Sequence, residues 1–331
     1  VIFGIWPGVV NADLIDFRPL DCPPEDPART LQAITELQSD HARFLVRCYR
    51  HFGRRAGDRG DAAETPSDPE RYLGQGRQID LVACYQNAVP DPDGFAAFVR
   101  QAVRDVARWG GGAVQVGEEP NMPAPQDGGF PGCLDAIAAG VTAAVDERTC
   151  LDAEVQIGVN CAGLADPSFW RQLADALGPD RLRDLDYIGL DAFPDVFRRI
   201  PEDQLPGAVR FLVESLRRVT TEVGVPERIP IHITETGWPT DRERDEATQA
   251  RVMLTVATTI LDSDLGVTAY EFFGLRDGLT AGTWHSRFGL LHDDYTPKPA
   301  FGAVRDLIAA RQGGTADARQ TKAGPRSRET A

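Results

Sequence analysis

Eight short runs of β type, each followed by a stretch able to wind into a helix, recur along the 331-residue chain, and this alternation constrains the fold more than any other feature. The runs are IFGIW (2–6), FLVRCY (44–49), QIDLVACY (78–85), AVQVGE (113–118), EVQIGVN (154–160), DYIGLDAF (186–193), IHITE (231–235) and TAYEFFG (268–274). Their unbroken Val/Ile/Leu/Phe character suits strands covered on both faces. Between them lie amphipathic stretches at 28–38, 93–110, 135–145, 166–178, 207–224, 246–261 and 298–311, several punctuated by Asp-Pro before or Gly after. The second unit is the exception: 54–70 reads as a long polar loop, with only a short helix near 69–74.

Eight strands with intervening helices fit a single closed (β/α)8 TIM barrel, an α/β fold, over residues 1–311, and the Gly-, Ala- and Arg-rich tail at 312–331 reads as disordered. An open dinucleotide-binding sheet would carry GxGxxG after its first strand, and none is present. The 35 Lys+Arg against 50 Asp+Glu give a net charge of −15, the wrong sign for a nucleic-acid partner. No apolar run approaches the ~18–20 residues of a membrane span, and no signal-peptide core is present. The chain opens directly on the apolar VIFGIW, as a native start or as the product of upstream trimming. Six cysteines without CxxC spacing argue against a disulfide scaffold and against structural zinc. A reduced, cytoplasmic protein is the expectation, secretion after leader removal the alternative. His292-Asp293-Asp294 resembles a metal cluster but sits before Tyr295-Thr296-Pro297, where Asp serves turn hydrogen bonding, so no metal and no cofactor are expected.

Barrel active sites lie at the C-terminal strand ends. Strand four ends in VGEEPNMP (116–123) and strand seven in ITETGWPT (233–240), which sets Glu119 and Glu235 facing each other across the mouth. Two carboxyl groups across a cleft are what glycosidic cleavage requires: one protonated to deliver a proton to the leaving oxygen, the other a base or nucleophile. A separation of ~5–5.5 Å gives retention and ~6.5–9.5 Å inversion. EEPN and ETGWPT together, with YEFFGLRDG (270–278) and RFGLLHDDYTPKPAFGAVRDL (287–307), resemble clan A of the retaining glycoside hydrolases, nearest its β-glucanase-like and β-xylosidase-like branches. The resemblance spans residues 2–311.

It implies Glu119 as acid/base, Glu235 as nucleophile, and a β-linked small-molecule or oligosaccharide glycoside as substrate. Arg47 on strand two matches the family and would keep the nucleophile ionised. Two departures stand out. Glu118 replaces the Asn that precedes the family's acid/base and contacts the sugar 2-hydroxyl. A carboxylate there should raise a neighbouring pKa, helping Glu119 stay protonated, and would suit a donor such as an amino group at that sugar carbon. Phe193 stands where an aromatic hydroxyl often supports the nucleophile.

Several side chains carry two readings each. Trp238 is a sugar-stacking platform or core. Asn121 contacts sugar or shapes its loop. Tyr49, which shares a strand face with Arg47, and Phe272 line the site or fill the barrel. His232, three residues before Glu235, is expected on the opposite strand face as a core histidine. A transglycosylase with the same carboxylate pair, a carbohydrate-binding barrel without turnover, and a scaffold with an incidentally acidic mouth are the competing functions.

Overall fold

The computed structural model describes residues 1–13, 18–53, 68–123 and 127–311, with 63 and 64 as backbone; the tail expected to be disordered at 312–331 lies outside the described residues. Eight parallel strands close into a barrel: β1 (Ile2–Trp6), β2 (Phe44–Phe52), β3 (Arg77–Tyr85), β4 (Gly112–Val116), β5 (Val155–Val159), β6 (Tyr187–Asp191), β7 (Ile231–Glu235) and β8 (Val267–Phe273). Each pairs with its sequence neighbours, and β8 closes onto β1 with Ile2 opposite Ala269 and Trp6 opposite Phe273. All eight coincide with the runs read from sequence, so the (β/α)8 expectation holds.

Seven helices cover the barrel among the described residues: α1 (Pro27–Gln38), α2 (Pro92–Arg108), α3 (Cys133–Leu151), α4 (Phe169–Arg183), α5 (Leu205–Glu222), α6 (Glu246–Leu261) and α7 (Pro299–Ala310). Local chemistry sets their ends. Asp26 caps α1 by accepting from the Ala28 and Arg29 amides, with Pro27 pre-set in the first turn. Asp91 and Asp245 do the same for α2 and α6 through the Gly94 and Thr248 amides. Among its described residues, the weak second unit contains the short strand Ala63–Glu64, paired with Val9–Val10, and the 3-10 turn Pro69–Tyr72.

Strand alternation divides the side chains into two cores. The even positions of β2 (Phe44, Val46, Cys48) and the odd positions of β7 (Ile231, Ile233) join the apolar layer beneath the helices. Cys48, Cys84 and Cys161 are buried free thiols, as their apolar runs imply. The barrel interior is different: the buried polar residues Arg47, Asp80, Gln115, Asn160, Asp191 and Glu271 stand at its strand positions. Gly4 makes room for one of them, since a Cβ there would meet Glu271 Cγ at 2.7 Å. An interior this polar needs its charges paired, and among the described residues one deep cation meets the carboxylates of Asp80, Glu118 and Glu235.

Candidate active site

That cation is Arg47, 1% exposed on β2. Its Nη1 donates to Asp80 at 2.9 Å, its Nη2 to Glu118 at 3.0 Å and its Nε to Glu235 at 3.4 Å, while Gln115 Oε1 accepts from both Nη atoms at 3.1 and 3.2 Å. Burial works against the guanidinium, yet Tyr49 and the three carboxylates outweigh it and hold its pKa well above the ordinary value. Two residues along β2, Tyr49 donates its hydroxyl to the same Glu235 Oε1. Glu235 thus receives Arg47 and Tyr49 on one oxygen, a cradle suited to a negative carboxylate. Tyr49 thus supplies Glu235 with a hydroxyl, which Phe193 lacks. On the glycosidase reading that the motif resemblance implies, removing it in Tyr49→Phe is expected to lower kcat on a glycoside about 10–100-fold with little change in KM, measured by steady-state kinetics.

Glu235 reaches this position through a defect in β7. Its residues pair in order with β6 up to Ile233 opposite Leu190, and then the register shifts so that Glu235 lies opposite Asp191. Strict alternation would send Glu235 with Ile231 and Ile233 toward the helices; the bulge turns it into the mouth. The same register corrects the reading of His232. It stands with Thr234 on the interior face, stacked on Tyr187 at 4.0 Å, and burial, aided by Arg43, pushes its pKa down to about 3. It is a neutral core histidine, as expected, but on the barrel side of its strand.

On the opposite side, Gly117 (φ +89°) turns the chain out of β4, where a Cβ would lie 2.3 Å from Ile137. Glu118 then points inward and is buried, with Oε2 accepting from Arg47, from Gln115 at 2.6 Å and from Asn160 at 3.3 Å. Glu119 adopts φ +39°, a left-handed conformation uncommon for a glutamate, and its amide donates to Asn160 Oδ1 at 3.0 Å. Withdrawal from solvent raises the Glu119 pKa well above the ordinary range, reinforced by Asp191, Asp127 and Glu235. Glu118 and Asp191 are likewise raised, each by burial first, then by neighbouring carboxylates against the opposing pull of Arg47.

Glu118, Glu119, Asp127, Asp191 and Glu235 line one cavity of about 510 Å³, with Tyr49. The structure therefore brings together Glu118, Glu119, Tyr49 and Glu235, with Arg47 directly beneath them. It keeps three other sequence candidates out of the lining. Trp238 is 1% exposed and donates its indole N–H to Asp195 at 3.1 Å, between Arg199 and Arg244. Asn121 spends its amide on Ala162, accepting from its N–H at 2.7 Å and donating to its carbonyl at 3.1 Å, which is the loop-shaping reading. Phe272 faces the helix layer by alternation, and its neighbour Phe273 reaches the cavity instead. Asp277, three residues past the eighth run, pairs with Lys298 at 2.7 Å and is not part of the cavity lining.

Asn160 and Asp191 are the residues that pattern reading undervalued. Asn160 ends the fifth run and ties three partners together: the Glu119 amide, Glu118 and Asp191. Asp191 also accepts from Thr234 Oγ1 at 2.6 Å. Their strand-end positions were the available signal. Among the described residues, Glu118, Asp191 and Glu235 are the one trio whose ligand oxygens lie within 4.8 Å of one another, close enough to share a cation. Arg47, Asn160, Tyr49 and Thr234 already donate to those carboxylates. His292, Asp293 and Asp294 are occupied otherwise: His292 lies 3.2 Å from Glu246, and Asp293 and Asp294 accept from the Thr280 and Thr296 amides at 2.9 and 2.8 Å.

No protein-family profile and no curated protein matches the sequence. Solved structures do match in fold. A β-glucuronidase from Ruminococcus gnavus in complex with uronic deoxynojirimycin superposes with a TM-score of 0.61 at 12% identity, covering 93% of this chain and 50% of that one. An uncultured Clostridium sp. β-glucuronidase gives 0.60 at 13% identity over 94% of this chain and 50% of that one. The GH39 enzyme from Xanthomonas axonopodis pv. citri gives 0.59 at 16% identity over 86% and 62%. The chain thus spans about half to three-fifths of the length of these proteins. Among the described residues no helix is long and apolar enough to cross a membrane. The closed (β/α)8 fold is thus shared with these solved β-glucuronidases and the GH39 enzyme, at identities of 12%, 13% and 16%.

Proposed function

We propose that the chain is a retaining glycoside hydrolase acting on a β-linked glycoside, with Glu119 as acid/base and Glu235 as nucleophile. One observation supports this reading: two glutamates from opposite sides of the barrel line one cavity in different surroundings, Glu119 with its pKa raised by burial and neighbouring carboxylates, Glu235 with one oxygen held by Arg47 and Tyr49. Glu119, crowded by Asp191, Asp127 and Glu235, keeps its proton. Glu235 is met by a guanidinium and a hydroxyl, both at Oε1, and Oε2 is the oxygen that attacks. Such a split is how one site supplies an acid and a nucleophile together.

In the first step Glu235 forms a bond to the anomeric carbon as the glycosidic C–O bond breaks, and the Glu119 proton passes to the departing oxygen. In the second, the ionised Glu119 takes a proton from water. The water oxygen bonds the anomeric carbon, the ester bond to Glu235 breaks, and both carboxyls return to their starting states. Glu118 and Asp191 sit beside this pair, where a sugar hydroxyl or amino group would donate to them. The β-glucuronidase from Ruminococcus gnavus carries a uronic ligand, but five acidic side chains, Glu119 among them in its protonated form, and, among the described residues, no lysine or arginine line this cavity. An uncharged or amino sugar suits that field; a uronate does not.

The test is release of nitrophenol from a panel of aryl β-glycosides, 2-amino sugars included, with NMR of the first-formed anomer. Glu235→Gln is expected to abolish turnover, and the product of the unaltered protein to keep the β configuration. An α product would overturn the retaining mechanism. Silence across the panel, with sugars still raising Tm, would favour the carbohydrate-binding barrel.

A further inference from the structure

The cavity has two chemically different levels. Its floor is ionisable, with Glu118, Asp191 and Glu235 all buried. One wall of it is aromatic: Phe193, Phe197, Phe273, Trp284 and Phe288 line it from the end of β8 and from the segments after β6 and β8, and Met122 adds to them from the segment after β4, while His51, Gln86 and His285 are further polar side chains in the lining. The rings form one connected wall. Phe193 meets Phe197, Phe273 and Phe288 with centroids 6.2, 5.6 and 5.8 Å apart, and Trp284 meets Phe197 and Phe288 at 6.0 and 6.1 Å. The wall runs from Phe288, 5% exposed, out to Phe197, 72% exposed.

A sugar-binding rim needs hydrogen-bonding side chains for hydroxyls, or rings presenting an open face for stacking. This wall offers neither in quantity. Four of its five members have no polar atom, and Phe193 packs against its three phenylalanine neighbours at interplanar angles of 74°, 89° and 82°, so that ring edges cover ring faces. Such a surface is wetted at a cost, and an exposed aromatic that continues a cavity lining marks a binding surface for apolar groups. Resting on the hydrolase reading above, we infer that this rim receives a large apolar aglycone: the substrate is an amphiphilic glycoside, one sugar seated among the carboxylates and an alkyl or polycyclic group against the aromatic wall. The polar floor lies at the blind end and the wall at the opening, so this orientation places the leaving group outward, where it can depart.

The experiment uses matched methyl and octyl β-thioglycosides, which resist hydrolysis, below micellar concentration, bound to the full chain and followed by calorimetry. Glucose, galactose, xylose and glucosamine supply the sugar, and a disaccharide thioglycoside is the competitor. Each buried methylene contributes about fourfold in affinity, so burying part of the chain should favour octyl over methyl by at least about 30-fold. Phe197→Ser, at an exposed position and checked for an unchanged Tm, should cut that ratio about five- to tenfold. Equal affinity for octyl and methyl in every pair overturns the inference, as does tighter binding of the disaccharide, which would make the rim an oligosaccharide cleft. The corresponding O-glycosides separate the two readings. Octyl-selective binding without turnover sinks the hydrolase and keeps the apolar rim; equal kcat/KM on methyl and octyl O-glycosides keeps the hydrolase and sinks the rim.

Discussion

Glu119→Ala is expected to slow hydrolysis of an alkyl glycoside about 10²–10⁴-fold, while an aryl glycoside with an acidic leaving group forms its glycosyl-enzyme at close to the normal rate and then stalls. Added azide, which needs no general base, should rescue the stalled aryl substrate as a glycosyl azide. The pH profile supplies an independent check. In the proposed mechanism protonated Glu119 is the working form, so kcat/KM should fall as pH rises through its pKa, and that limb should lie well above the ordinary glutamate range because desolvation and then Asp191, Asp127 and Glu235 oppose ionisation. In Glu119→Ala the limb should vanish. The same shift works against the fold. Between the ordinary and the raised pKa the unfolded chain has released this proton and the native protein retains it, so stability falls as pH rises through that window. Glu119→Gln should therefore raise Tm by about 2–4 °C at pH 8 and by less at pH 4, while losing activity. An inactive variant no more stable than its parent at pH 8 would mean that Glu119 is well hydrated.

Arg47→Met is expected to destabilise the protein by about 3–5 kcal/mol at pH 8, the cost of leaving buried carboxylates without their cation. Asp80, Glu118 and Glu235 all bind that guanidinium, and each is left to ionise against the others or take up a proton. Uptake of protons relieves the variant, so its deficit should shrink as pH is lowered from 8 to 5. Urea denaturation at the two pH values measures both quantities. Arg47→Lys should recover only part of the loss, since one ammonium cannot reach three carboxylates in different directions. A deficit below about 1 kcal/mol, or one independent of pH, would show that water rather than Arg47 neutralises the interior.

The two predictions draw on different kinds of information. Glu119 and Glu235 stood out as glutamates at strand ends followed by turn-forming residues, and Arg47 as a charge inside an apolar run. In each case a local pattern was broken by one residue that strand packing alone does not call for. Tyr49 was visible only as the alternate neighbour of Arg47; that its hydroxyl reaches Glu235 depends on two strands far apart in sequence. Trp238 and Phe272 each left two readings open in the sequence, and the core reading is the one that their burial matches. Both are aromatic and adjacent to the mouth in sequence, yet a single step of strand alternation or one turn of loop carries them into the core.

Periodicity determined the barrel, because eight apolar runs of strand length separated by amphipathic helices bury their two faces in very few ways, and strand-end position determined which carboxylates stand near the mouth. The tertiary structure alone decided the rest. A register shift against β6 turns Glu235 inward; Asn160 joins Glu118, Glu119 and Asp191 across three strands; and aromatic residues from separate segments meet in one wall. Those are relations between residues distant along the chain, set by hydrogen-bond register and side-chain packing, and a local pattern carries no record of either.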